Sequence, residues 1–107
     1  MKRVVITGIG AVTAFGKTWE DVKAAFQRKQ NAVQAKTEWA ERYPELGANL
    51  GAEIHDYTPP AHWNRKQLRS LGRVSQFAVE AAELALANAN LLDENGVILP
   101  YLKEGIM

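Results

Sequence analysis

One stretch limits the possible folds more than any other: Leu71 to Asn90. Ala78, Ala81, Ala82, Ala85, Ala87 and Ala89 give it high helix propensity. Arg73, Gln76, Glu80, Glu83 and Asn90 lie along one narrow polar stripe, while Leu71, Val74, Phe77, Val79, Leu84 and Leu86 fill most of the rest. A helix so apolar around its circumference is normally enclosed by protein, and small alanine side chains let other backbones approach closely. The chain has 107 residues in all, a length that suits one small domain. Little of it remains to surround such a rod, so the pattern predicts neighbours that these residues do not supply.

The opening stretch "VVITGIGAVTAFG", residues 4–16, reads as a strand feeding a glycine-rich turn. Val4, Val5 and Ile6 form a continuous β-branched run that suits a strand buried on both faces. Thr18 follows as a helix N-cap, with Asp21 three residues on as a weak variant of the capping box. Glu20 and Asp21 suit the positive start of a helix, and Arg28 and Lys29 its negative end. Trp19, Val22 and Phe26 share one face. An amphipathic helix is therefore expected from Thr18 to Arg28, packed onto a sheet by Trp19 and Phe26. Further on, "NAVQ" and "NLGAEI" (Asn49 to Ile54) read as short strands, the second weakened by Gly51. "KTEWAERYPELG" gives mixed signals. "DYTPP" is loop, because Pro59 and Pro60 cannot donate to a ladder. Phe77 is expected in the core, and Trp39, Tyr43, Tyr57 and Trp63 are expected to anchor loops by packing. Asp93 to Gly96 reads as a turn. Gly105, Ile106 and Met107 read as the apolar approach to another strand, as if the sequence stopped within an element.

Composition narrows the function classes. The net charge is +1, so no global field recruits nucleic acid or a membrane. There is no cysteine, which excludes disulfides, thiolate metal sites and a cysteine nucleophile within these residues. No apolar stretch approaches the roughly 20 residues of a membrane span. The short apolar run after Lys2 and Arg3 lacks the form of a signal peptide, and a cytoplasmic protein is the simplest expectation.

A strand followed by glycines raises the prospect of a phosphate cradle. The dinucleotide fingerprint needs G-x-G-x-x-G directly between strand and helix. Gly8 and Gly10 fit its first two positions, but the third falls on Thr13 and Gly16 comes late. The region "FQRKQNAVQ" offers no acidic residue to read a ribose, and the helix starts too far away to aim its amides at a pyrophosphate. The glycines read better as a sharp turn packed closely beneath neighbouring backbone. No cofactor and no metal are expected.

Charge does gather in one place, "NRKQLRSLGR". Arg65, Lys66, Arg69 and Arg73 stand at relative positions that fall within about a 100° arc if one helix runs through them, although Gly72 interrupts. The nearest acidic residues in sequence are Asp56 and Glu80. Such a patch suits an acidic partner; the plain alternative is a set of solvated or locally paired arginines. Nucleic acid fits poorly, since the cluster is small and no aromatics interleave with it.

"KRVVITGIGAVTAFGKTWEDVKAAFQRKQNAV" closely resembles the amino-terminal opening of the β-ketoacyl-acyl carrier protein synthases, the condensing enzymes of fatty acid and polyketide synthesis. "NRKQLRSLGRVSQFAVEAAELALANANL" resembles that family's basic turn and the long alanine-rich helix after it. The resemblance covers nearly all of the chain, least clearly Thr37 to Gly47. It is to the elongating type I/II enzymes rather than to the initiating type III enzyme. It implies an α/β, thiolase-like fold: two βαβαβαββ halves stacked in α/β/α/β/α layers, in a homodimer several times longer per chain. Residues 1–107 would then be an incomplete amino-terminal part of the ketoacyl synthase domain.

The implied parent activity is that of an acyltransferase, a 3-oxoacyl-acyl carrier protein synthase. Such an enzyme condenses an acyl-enzyme thioester with malonyl-acyl carrier protein in fatty acid elongation. The family's cysteine nucleophile and two catalytic histidines lie downstream of the matched region, so no catalytic residue is expected here and the segment alone should be inactive. His55 and His62 match no catalytic motif and read as surface or loop residues. Arg65, Lys66 and Arg69 match basic residues with which elongating synthases help dock the acidic carrier. Ser70 stands where many relatives carry a further basic residue, and Arg73 joins the set on helical spacing alone. The implied partners are acyl carrier protein and a second copy of the chain, with neither nucleic acid nor membrane. Two alternatives stand beside this: a separately encoded carrier-protein docking module, and a nucleophile-less chain-length-controlling subunit of a polyketide system.

Overall fold

A computed structural model describes residues 2–100. The elements are α1 (Trp19–Gln27), β1 (Gln34–Ala35), α2 (Thr37–Arg42), β2 (Leu50–Gly51), α3 (Arg65–Ser70) and α4 (Arg73–Asn88). They fall into two compact units, one formed by Thr13–Thr58 and the other by the residues up to Val12 together with those from Pro59 onward.

The Thr13–Thr58 unit starts with a tight turn in which Thr13 and Gly16 exchange backbone hydrogen bonds of 3.0 and 3.1 Å. Gly16 has φ +130°, a conformation that favours a residue without Cβ. Thr18 then caps α1: its Oγ1 accepts from the Asp21 amide at 3.1 Å. The helix closes on Lys29 at φ 58°, with Lys29 N–H donating to Phe26 O and Gln30 N–H to Ala25 O. That pair of bonds is a Schellman motif built without glycine. The strand expected at "NAVQ" is displaced to Gln34–Ala35, sharing only Gln34 with that stretch; this β1 pairs antiparallel with β2, Gln34 opposite Gly51 and Ala35 opposite Leu50. Between them α2 carries Trp39, and a Cβ on Gly51 would stand 2.8 Å from Trp39 Cη2. Gly51 thus makes room for the indole. Lys36 is buried, with its Nζ 3.1 Å from Glu53 Oε1. Lys17 Nζ donates to Thr58 O at 3.0 Å and lies 4.7 Å from the Tyr57 ring centroid.

In the other unit, Gly8 and Gly10 lie against α4. A Cβ at Gly8 would stand 2.6 Å from Ala85 O and from Ala89 N. A Cβ at Gly10 would overlap Ala81 O and Ala85 N. Gly10 therefore meets the helix four residues earlier than Gly8 does. Four helical residues rise about 6 Å, and two residues of chain reach about 7 Å only when nearly fully extended. The segment is therefore extended and runs antiparallel to α4. Ile9 N–H donates to Asn88 Oδ1 at 3.1 Å between the two glycines. The far end of α4 forms a second Schellman motif, with Asn90 at φ 59°, Asn90 N–H donating to Ala87 O and Leu91 N–H to Leu86 O. The turn at Asp93 follows: its Oδ1 accepts from Asn95 and Val97 amides, both at 2.9 Å.

Several expectations need correction. Val4, Val5 and Ile6 are 94%, 74% and 84% exposed and pair with no strand among the described residues. A β-branched run needs edges on which to build a ladder, and the described residues offer it none. Trp19 and Phe26 are exposed rather than packed on a sheet, because the only ladder described is two residues long. Phe26 does meet Phe15 edge to face, with centroids 6.2 Å apart. The helix predicted over Leu71–Asn90 is shorter: Leu71 and Gly72 are extended, and Asn90 lies beyond the helix end.

The rod is not enclosed among the described residues: Phe77, Leu84 and Leu86 are only half-buried. The one buried residue of α4 is Glu80, at 4% exposure, while Val74 is 80% exposed. Among the described residues only Ala25 and Trp63 are buried apolar side chains. The α/β class appears as mixed helices with a small two-stranded sheet. The strand expected at Gly105–Met107 lies outside the described residues.

Candidate functional site

The basic cluster is centred on α3. Asn64 caps it reciprocally: Asn64 Oδ1 accepts from Gln67 N–H at 2.8 Å, and Gln67 Oε1 accepts from Asn64 N–H at 2.9 Å. This is a complete capping box. Arg65, Lys66 and Arg69 are all exposed, and none forms an ion pair among the described residues. Arg65 and Arg69 stand one turn apart on the same face. Three cations on a single short helix, with no acidic residue in its first turn, form a local positive surface.

Arg73 does not share their arc. The break at Leu71–Gly72 puts it at the start of α4, so the angular relation that assumed one continuous helix is lost. Its guanidinium carbon instead lies 5.2 Å from the centroid of Phe77, one turn along its own helix.

Four side chains outside the basic cluster fix this region. Trp63, just before the cap, is 7% exposed, and its Nε1–H donates to Glu83 Oε1 at 2.9 Å. His62 Nε2 lies 3.0 Å from Glu83 Oε2, the arrangement of an Nε2–H donating to a carboxylate. At the other end of α3, Gln76 Nε2 donates to Leu71 O at 3.1 Å. The sequence places Gln76 and Glu83 on the polar stripe, and their common face was its only signal. His62 and His55 are exposed loop residues; His55 Nδ1 is 3.9 Å from Glu53 Oε2.

The glycine stretch serves packing: Gly8 and Gly10 face helix backbone, and Gly16 makes a turn. The described residues contain no group of three His, Cys, Asp or Glu side chains that could hold a metal ion. No helix among them is long and apolar enough to cross a membrane. An open hollow of about 520 Å³ in the Thr13–Thr58 unit is lined by Phe15, Val22, Phe26 and Val33 among others. No titratable side chain lines it, so it offers contact area and no acid–base chemistry.

No family model matches the chain. Individual proteins do. The chain is 30% identical over 104 residues to the 3-oxoacyl-acyl-carrier-protein synthase 2 of Synechocystis sp., a match covering 92% of this chain and 24% of that protein. It is 30% identical over 99 residues to the enzyme of the same name from Staphylococcus aureus strain COL, covering 88% and 22%. The backbone matches the crystal structure of a β-ketoacyl synthase from Burkholderia phymatum STM815 with a TM-score of 0.78 at 46% identity, covering 88% of this chain and 23% of that one. The chain thus spans less than a quarter of the length of these relatives. In sequence and in backbone alike, it is a homologue of one segment of the 3-oxoacyl-acyl-carrier-protein synthases, the β-ketoacyl condensing enzymes.

Proposed function

We propose that this chain is the carrier-receiving segment of a 3-oxoacyl-acyl carrier protein synthase acting in fatty acid elongation. In the complete enzyme, a cysteine thiolate outside these residues takes the acyl group from the carrier's thioester. Imidazoles and an oxyanion hole then stabilise the enolate left when malonyl-carrier loses carbon dioxide, and that carbanion attacks the acyl-enzyme. The segment itself brings the substrate's carrier to the enzyme and performs no condensation. The observation that carries this proposal is the exposed trio Arg65, Lys66 and Arg69, free of ion pairs among the described residues, on a helix capped at its own start.

The exposed run Val4–Ile6, with Ile9 and Val74, supports a second element of the proposal. A contiguous exposed run of apolar, β-branched residues is the mark of a surface that another element or chain covers. In the complete enzyme it would join the layered sheet of a thiolase-like fold, and in the isolated chain it would be covered by a second copy.

Titrating the full chain with purified acyl carrier protein across a salt series tests the docking. Binding should weaken as ionic strength rises. Reversing all three charges (Arg65→Glu, Lys66→Glu, Arg69→Glu) should lower affinity by about tenfold or more. Binding that ignores salt, or that survives the reversal unchanged, sinks the proposal.

A further inference from the structure

We infer that Gln76 and Glu83 of α4 form a two-point clamp that holds α3 and sets the direction in which Arg65, Lys66 and Arg69 face. The functional meaning of this clamp rests on the docking proposed above; its geometry does not.

The starting point is the length of α3. Six residues are far fewer than the ~12–15 at which an isolated helix becomes even marginal in water. The Asn64–Gln67 capping box holds its first turn, and the Leu71 amide returns only a 3.3 Å bond to Leu68 O at its last. The remaining order must come from outside the helix.

It comes from one face of α4. Glu83 commits both carboxylate oxygens to consecutive residues, Oε2 to His62 and Oε1 to Trp63, immediately before the Asn64 cap. Gln76 commits its side-chain N–H to the carbonyl of Leu71, the C-cap residue, which a short helix would otherwise leave orphaned. The two grips are seven residues apart, a rise of about 10.5 Å, and a six-residue helix is about 9 Å long. The spacing of the grips therefore fits the length of what they hold. Glu80 lies between them on the same face and is the buried residue of α4. This part of the polar stripe thus meets the residues that flank α3, His62 and Trp63 before it and Leu71 after it. Holding a helix at both ends fixes its rotation as well as its position, and rotation decides where Arg65 and Arg69 point.

The clamp and plain electrostatics predict opposite signs. Removing the Glu83 carboxylate makes the region more positive, which by charge alone strengthens binding of an acidic carrier. A clamp predicts weaker binding, because the cations lose their common direction.

The experiment combines residue-resolved hydrogen exchange on the full chain with titration by purified acyl carrier protein. Glu83→Ala and Gln76→Ala should each speed exchange of the α3 amides while those in the middle of α4 stay at the native rate. Each should weaken carrier binding about 3- to 10-fold, the effect of losing one or two net hydrogen bonds. Glu83→Gln keeps an acceptor for the Trp63 Nε1–H and should restore most of both properties. Native α3 exchange in both alanine variants overturns the clamp, as does tighter carrier binding by Glu83→Ala with α3 exchange unaltered. If instead the triple charge reversal binds carrier as well as the native chain, the docking proposal fails, and the exchange rates of α3 still decide for or against the clamp.

Discussion

Helices α1 and α3 both begin with a side-chain oxygen accepting a backbone N–H, yet they are secured by different means. In α1 the start is closed by Thr18 and the end by the left-handed Lys29, with every bond between residues five or fewer positions apart. In α3 the first turn has its own capping box, and the two residues before it, His62 and Trp63, lean on Glu83 across 21 and 20 residues of chain. The end leans on Gln76 of the following helix. One helix is secured wholly by near neighbours; the other adds to its near bonds a distant one, through Glu83. A helix of the first kind can be located from its sequence; one of the second kind can be located, but the direction it faces cannot.

The most forceful way to break this comparison is to break α4. Val79→Pro removes a helical hydrogen bond and should cost about 3 kcal/mol or more. Its side chain is partly exposed, so little packing is lost with it. If α3 borrows its order, hydrogen exchange should show α3 amides losing protection together with those of α4; α3 staying protected would end the distinction. Next in size is Gly10→Val, whose side chain would collide with α4 backbone. A loss of about 1–3 kcal/mol in urea denaturation is expected, and none if the segment can lift away freely. Thr18→Ala should cost about 1 kcal/mol and speed exchange in the first turn of α1 while leaving α3 as it was. Smallest is Lys29→Gly, which relieves a left-handed lysine and should raise the urea midpoint, a gain in stability of at most about 1 kcal/mol. A lowered midpoint would mean that the lysine side chain contributes something beyond its backbone conformation.

The same division explains what could be read from the sequence. Expected from Thr18 to Arg28, α1 runs from Trp19 to Gln27, because its capping signals sit beside it. Strands were expected at "NAVQ" and "NLGAEI"; the pair that forms, Gln34–Ala35 with Leu50–Gly51, lies within the second stretch but meets the first only at Gln34. Val4–Ile6 has an equally clear strand signal and no ladder among the described residues, because β propensity names a preference and not a partner. Of the basic cluster, Arg65, Lys66 and Arg69 were legible as charge on one turn. Arg73 was misplaced because its angle was reckoned through Gly72, where the helix stops. Glu83 was seen only as part of a stripe. Nothing local to it announces an indole twenty residues earlier in the chain.

The contact of Gly8 and Gly10 with α4 constrains how the chain can vary. A stretched pair of residues advances about 6.8 Å and a four-residue helical step about 6 Å, so each repeat drifts by nearly 1 Å. Two steps can mesh, and a third would fall out of phase. Sliding by one position would press the side chains of Ile9 and Ala11 into the carbonyls of Ala81 and Ala85. Two missing methyl groups thus index where the first dozen residues sit on the long helix. A descendant of this sequence could relocate that junction only by moving both glycines and the alanine ladder together.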